Sequence, residues 1–330
     1  MKQKNTAAGS PTAKRRKFHF DYPWLSAAVP LVILMIVLPV ANSRFLTVSN
    51  LTSVLLQAAV YVIMALGMSF VLMTGGIDLS QGSLLALVGV VAADIIEHQG
   101  SILVAVIASL LVGALVGLIN GTIISCLKIP PFIMTLSTMY LCRGLTLVIT
   151  QASPIAISNA GFRWIGSGSI AGIPVPVIIF LIATAAGQFI LSYTATGRYI
   201  LAVGSNREAA RLSGIKTRWN ECKVYIISGI MVAIAGIVYV ARLGAAQANA
   251  GLSYEMEAVA AAVLGGTSVL GGEGSIIGTV LGAIVVAIIR NAIVLLNVST
   301  YYQQMITGAV ILLAVIVDVR RKAASAKRVD

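Results

Sequence analysis

The chain has 330 residues, of which 58% are hydrophobic and only 10% charged, with a formal net charge of +12 and a mean hydropathy of +0.96. A soluble domain carries about 25% charged residues, so this composition excludes an ordinary water-soluble enzyme. In lipid, backbone amides are satisfied within helices or closed barrels. A barrel shows short alternating strands with aromatic girdles, whereas the long apolar runs here specify helices.

A bilayer core takes about 20 apolar residues per helix. In chain order, the apolar runs predict ten spans, near 24–41, 52–73, 77–96, 101–125, 132–150, 174–194, 223–241, 254–270, 275–296 and 302–318. The first is longer than a usual signal-peptide core and reads as a retained anchor rather than a cleaved leader. The expectation is an all-α polytopic membrane protein with one permeating domain over 21–318 and an internal pseudo-repeat. A basic tail over 1–20 and another over 319–330 frame it.

Charge orients the spans. Seventeen of the 23 basic residues lie in three clusters: Lys2, Lys4, Lys14, Arg15, Arg16 and Lys17; Arg198, Arg207, Arg211, Lys216, Arg218 and Lys223; and Arg320, Arg321, Lys322, Lys327 and Arg328. Basic residues beside spans mark the cytoplasmic side. Six crossings return the chain to that side at 195 and four more return it at the C-terminus, so an even count satisfies all three clusters. The distribution beside spans, rather than on one face of a soluble domain, argues against nucleic acid as a partner. The longest outside loop is 151–173, which holds Pro154, Gly161, Gly166, Gly168 and Gly172.

A weak repeat links Gly75-Gly76-Ile77-Asp78-Leu79-Ser80-Gln81-Gly82-Ser83 with Leu270-Gly271-Gly272-Glu273-Gly274-Ser275, and Gly113-Ala114 with Gly282-Ala283. Transporters show such duplication, with glycine-interrupted segments near their pathways. Cys126, Cys142 and Cys222 have no metal-site spacing and read as small packing residues. No P-loop occurs, no His/Glu metal pair exists, and the spans show no ladder of acids of the kind proton-coupled carriers need. Uphill movement of a solute by this chain therefore needs energy from another subunit.

The loop 195–222 contains Ser205-Asn206-Arg207-Glu208-Ala209-Ala210-Arg211-Leu212-Ser213-Gly214. Ser205 or Asn206 can cap a short helix with Glu208 in its first turn, and Gly214 suits its C-terminal stop. Such a helix fits a groove on a partner, and it equally fits an ordinary amphipathic connector.

The Glu208-Ala209-Ala210…Gly214 arrangement resembles the coupling loop of ATP-binding-cassette importer permeases. The run Gly75–Ser83 resembles the signature of the ribose-type permease family. So do Asn120-Gly121, Ile129-Pro130-Pro131-Phe132-Ile133-Met134-Thr135-Leu136 and Ala261-Ala262-Val263-Leu264-Gly265-Gly266-Thr267-Ser268. Gln81 departs from the small or apolar residue expected in that signature. The resemblance covers about 45–318. It implies a binding-protein-dependent importer of a monosaccharide, ribose or a similar pentose or hexose, in which two permease copies pair as a homodimer in the bacterial inner membrane. A soluble binding protein would deliver the sugar. A cytoplasmic ATPase, often two domains fused in one chain, would bind ATP and Mg, leaving no cofactor or metal to this chain. Arg207, Glu208, Ala209, Ala210, Arg211 and Gly214 would couple to that ATPase.

For a neutral sugar, uncharged polar groups suit the pathway. The candidates for path or gate are Gln57, Tyr61, Asp78, Asn120, Thr135, Thr138, Gln303 and Thr307, each with interhelical packing as its alternative role. Asp78 is read either as a gate or pivot held by freed amides of a broken helix or as an acid at the cytoplasmic boundary capping the next helix. Arg163 and Arg242 fall in outside loops and are candidates for docking the binding protein. Competing readings are the same architecture importing a nucleoside, polyol or signalling sugar, an ion-coupled secondary carrier, and a membrane enzyme acting on lipid.

Overall fold

The computed structural model describes residues 24–299 together with positions 302, 305, 306, 308, 309, 312 and 316. The two basic tails, and the candidates Gln303 and Thr307, lie outside the described residues. The elements in order are α1 (Leu25–Ala41), a 3-10 turn at Ser43–Leu46, α2 (Val48–Met73), α3 (Gln81–Gln99), α4 (Ile102–Leu127), α5 (Pro131–Thr150), β1 (Ile155–Ala156), α6 (Ala160–Ser167), β2 (Ser169–Ile170), β3 (Ile173–Pro174), α7 (Val175–Tyr193), α8 (Ala195–Ser205), α9 (Arg207–Leu212), α10 (Thr217–Leu243), β4 (Ala245–Ala246), α11 (Tyr254–Leu264) and α12 (Ile276–Leu295). Among the described residues, α2, α3, α4, α5, α7, α10 and α12 are long and apolar enough to cross a membrane. Helix α1 has 17 residues and contains Pro30 and Pro39.

The boundaries differ from the apolar runs in three places. The run 254–270 holds only the 11-residue α11, about 16 Å at 1.5 Å per residue and half a bilayer core. The run 77–96 becomes helical only at Gln81, because Thr74–Ser80 is non-helical. The loop 195–222 holds α8, α9 and the start of α10 rather than one short helix. Most of the predicted span 302–318 lies outside the described residues, although the seven described positions there are helical.

Helices α2 and α10 form the centre. Met64, Met68, Phe70 and Tyr225 are buried in it. Against α10 lies α4, whose sequence is inverted relative to a soluble helix. Its inner face carries Gly113, Gly117 and Gly121, while Leu103, Ile107, Leu111 and Leu115 face outward. Lipid is as apolar as leucine, so association in the bilayer rests on close backbone approach between small residues. A Cβ on Gly117 would stand 2.2 Å from the Tyr225 carbonyl oxygen, and one on Gly113 2.3 Å from that of Gly229.

Two ends of the bundle can be distinguished. At one, which we call the α9 end, α2, α4 and α7 finish and α5, α10 and α12 begin. At the far end, β1 pairs antiparallel with β4, Ile155 opposite Ala246, while β2 and β3 form a small hairpin.

Replacing Gly117 by Val is expected to force α4 off α10 and cost about 1–3 kcal/mol. The check is the thermal midpoint of the purified protein in detergent, which should fall, whereas Gly144→Val, at a position where a Cβ meets nothing within 4 Å, should leave it nearly unchanged.

Candidate functional site: two interrupted helices meeting inside the bundle

Two segments break the helical pattern inside the bundle. The first is Thr74–Ser80, between α2 and α3. It leaves the α9 end and runs inward, because Asp78 bonds to Ser228, which lies about three turns into α10. The second is 244–253, which leaves the far end through β4 and runs inward to the start of α11. The two meet where α3 and α11 begin. A Cβ on Gly82 would stand 2.3 Å from the Gly251 carbonyl oxygen and 2.2 Å from a Glu255 carboxylate oxygen. Helices α3 and α11 thus start against one another inside the bundle.

Asp78 sits at the end of the first segment and is 2% exposed. Its Oδ1 accepts from the Ser80 amide at 3.1 Å and the Ser80 hydroxyl at 2.5 Å, and its Oδ2 accepts from the Ser228 hydroxyl at 2.8 Å. The carboxylate is thus held just ahead of α3 by one backbone amide and two hydroxyls. Gln81, also buried, donates to Ser228 Oγ at 2.9 Å, which explains a polar residue in a run that resembles a family with a smaller one there. Asn120 Nδ2 donates to Ser80 Oγ at 3.3 Å, and Thr138 donates to Asn120 Oδ1 at 2.6 Å. Thr135 donates to the Ile77 carbonyl at 3.2 Å. Four sequence candidates, Asp78, Asn120, Thr135 and Thr138, therefore converge on one polar knot around the first interruption. All four are buried within the chain.

Tyr61 is elsewhere. It lies against Arg290, whose Nη1 donates to its hydroxyl. The Arg290 Nε stands 2.9 Å from Glu257 Oε1, and its guanidinium lies 5.3 Å and 5.1 Å from the Tyr61 and Tyr254 ring centroids. This cluster clamps α11 to α2 and α12. Gln57, half-buried one turn earlier on α2, is not bonded to either group.

Asp78 is not the only acid inside the bundle. Glu257 is 2% exposed and Glu255 is half-buried. Arg143 on α5 bonds through Nη1 to the carbonyls of Ala248 and Ala250, the latter at 2.9 Å, and so fixes the second segment. Arg143 and Arg290 each stand as a lone charge in an apolar run, and Glu255 and Glu257 open another, which is a functional flag in lipid. That flag was available in the sequence, but the pairing was not, since Glu257 and Arg290 lie on different helices.

At the α9 end, Asn206 caps α9 by accepting from the Ala209 amide at 2.9 Å, and Gly214 ends it at φ +82°. On α9, Arg211 and Glu208 are exposed and paired, Nη2 to Oε1 at 2.5 Å, and the guanidinium holds the Glu208 carboxyl below its ordinary range. Arg207 turns inward to Glu221, Nη2 to Oε2 at 3.1 Å. Ala210 is buried. The α8–α9 corner is wedged between both interrupted helices. A Cβ on Gly204 would stand 1.8 Å from the Met73 carbonyl oxygen and 2.6 Å from the Gly272 amide, and that amide donates to Met73 at 2.9 Å. The two glycine pairs of the sequence repeat, Gly75-Gly76 and Gly271-Gly272, thus flank one corner. A cavity of about 290 Å³ lies beside it, lined in part by Gly75, Lys128, Arg207 and Tyr225.

At the far end, α6 packs on the end of α10, a Cβ on Gly166 standing 2.1 Å from the Arg242 amide. This brings exposed Arg163 and half-buried Arg242 together. Cys142 and Cys222 are buried and Cys126 is exposed, all three as free thiols.

A sequence model described as branched-chain amino acid transport system / permease component matches residues 50–315. The ribose import permease protein RbsC of Escherichia coli K12 is 43% identical over 92% of this chain and 97% of its own length. That of Bacillus subtilis 168 is 42% identical over 94% and 98%, and the D-allose transport system permease protein AlsC of E. coli K12 37% over 95% and 97%. No solved structure matches.

Removing one partner of a buried ion pair costs about 3–5 kcal/mol because the other charge is stranded. Arg290→Gln and Glu257→Gln should therefore each lower the unfolding midpoint of the purified protein strongly. The double variant should fall by clearly less than the sum of the two, as read from a double-mutant cycle.

Proposed function

Because the chain belongs to the branched-chain amino acid transport system / permease component family, as the membrane-spanning subunit of an importer driven by a separate ATPase and served by a binding protein, we propose that it carries ribose or a closely related monosaccharide. The observation that carries the choice of cargo is the 43% identity to a ribose import permease over nearly the whole of both chains. Two of the buried charges are already satisfied within the protein: Glu257 pairs with Arg290, and Asp78 is enclosed by hydroxyl and amide donors.

In this reading two copies pair as a homodimer, the α9 end faces the cytoplasm, and exposed Glu208 and Arg211 on α9 dock in the ATPase, whose two domains are fused in one chain. Arg207, Ala209, Ala210 and Gly214 keep α9 in shape. The Gly204 corner carries the push to both interrupted helices at once, one through Met73–Gly75 and the other through Gly271–Gly272. Asp78 is the pin of the first interruption and acts as a gate when that segment shifts. Arg163 and Arg242 receive acidic groups of the binding protein, an encounter that weakens with salt.

The direct test is reconstitution of the permease with its ATPase and binding protein in proteoliposomes. Uptake of radiolabelled D-ribose should require all three and ATP, and should persist when ion gradients are collapsed. Accumulation in vesicles without the ATPase would overturn the assignment.

Asp78→Asn keeps shape but offers an amide donor where three donors already point at the carboxylate. Uptake should fall below a tenth of wild type, with membrane insertion and complex assembly retained. Near-normal uptake by that variant would remove Asp78 from the gate.

A further inference from the structure

The second interruption encloses a space that the coupling scheme does not use. A cavity of about 510 Å³ opens at the far end between α5, the stretch after it and the segment 247–252. Its walls are of two kinds. Leu147, Pro154 and Leu252 are apolar, while Arg143, Gln247 and Asn249 are polar. Gln247 and Asn249 are exposed, and their amides have no protein partner among the described residues. Arg143 uses Nη1 on the Ala248 and Ala250 carbonyls, which holds the guanidinium still. Its Nε and Nη2 groups make no hydrogen bond to protein among the described residues, and the Glu255 carboxyl acts on the guanidinium only at longer range.

We infer that this cavity is a reception site for one monosaccharide on the permease itself, with Arg143, Gln247 and Asn249 bonding its hydroxyls. This rests on the sugar-import reading above. The chemistry fits a polyhydroxylated neutral ligand. A sugar hydroxyl both donates and accepts, and each primary amide does the same, while the guanidinium supplies fixed donors. The apolar walls take the C–H faces of the ring. The volume lies within the range of small-molecule sites. No aromatic ring lines the cavity, so the site lacks the stacking surface that makes sugar binding tight. A site on a path of transit must bind strongly enough to fill and weakly enough to empty, and this composition suits that demand. The site also sits on the non-helical segment that leads to α11, so a shift of that segment moves Gln247 and Asn249 against the pinned Arg143.

The test is saturation-transfer NMR with D-ribose on the full-length permease in lipid nanodiscs, without binding protein, alongside ribose uptake by the reconstituted complex. Saturable binding in the millimolar range is expected for wild type. Asn249→Ala and Gln247→Ala, at exposed positions outside any hydrogen-bonded network, should each weaken it several-fold. Arg143→Lys, which keeps the charge but loses the planar fork, should weaken it roughly tenfold, the loss of one hydrogen bond to a charged group. The same variants should raise the apparent KM for uptake. Ribose uptake by the wild-type complex with no saturable binding, binding unchanged in all three variants, or displacement of ribose by inorganic phosphate would each overturn the site while leaving the import reading standing. Absence of ribose uptake by the wild-type complex would overturn both.

Discussion

An amide buried away from water must find a partner, and the two interrupted helices are where this chain meets that demand by means other than a helix. The amide of Ser80 finds the Asp78 carboxylate, and the carbonyls of Ala248 and Ala250 find the Arg143 guanidinium. Non-helical backbone at membrane depth survives only when enclosed by protein or lining a wet cavity. Both solutions occur here: Asp78 and Ser80 of the first segment are enclosed by protein, while its Thr74–Gly76 end and the second segment each border a cavity. The remaining helices are arranged around that requirement. The glycine face of α4 lets α10 come close enough for Ser228 to reach Asp78, and α5 brings both Thr138 and Arg143 into place.

The two interruptions are built with opposite economies. Asp78 is an acid satisfied by three donors from hydroxyls and an amide, so its surroundings are small side chains that move with little resistance. Arg143, Glu257 and Arg290 instead use paired or bridging charges, which are costly to separate. The first segment is thus suited to rearrangement, and the start of α11 is suited to moving as one body with α2 and α12.

Much of this architecture is legible in the amino-acid order. Hydropathy places the long helices, the basic cluster over 198–223 falls at one end, and Asn206 and Gly214 bracket α9. Asp78 stands out because acids are rare in such runs. What the order does not show is long-range. The run 254–270 reads as a full span because Ala258–Val263 is apolar throughout, and nothing local says that its first residue is already deep. That follows from Gly251 meeting Gly82, a contact across about 170 positions. The inward turn of Tyr61 onto Arg290 is hidden in the same way, since a face of Gln57, Tyr61, Met64 and Met68 looks identical whether it borders a passage or a clamp. The cavity at Arg143 is hidden most fully, because its polar residues come from α5 and from a loop that hydropathy leaves unassigned.

The Gly204 corner divides α8–α9 into two kinds of position. At residue 204 there is no room for one added carbon, yet Glu208, Arg211 and Leu212, less than three turns away, stand in open surroundings. Sequence drift is therefore cheap on the outer surface and forbidden at the elbow. A new side chain on the outward face of α9 leaves the packing of the elbow untouched, whereas any side chain at 204 has to part α8 from the Met73 carbonyl and the Gly272 amide.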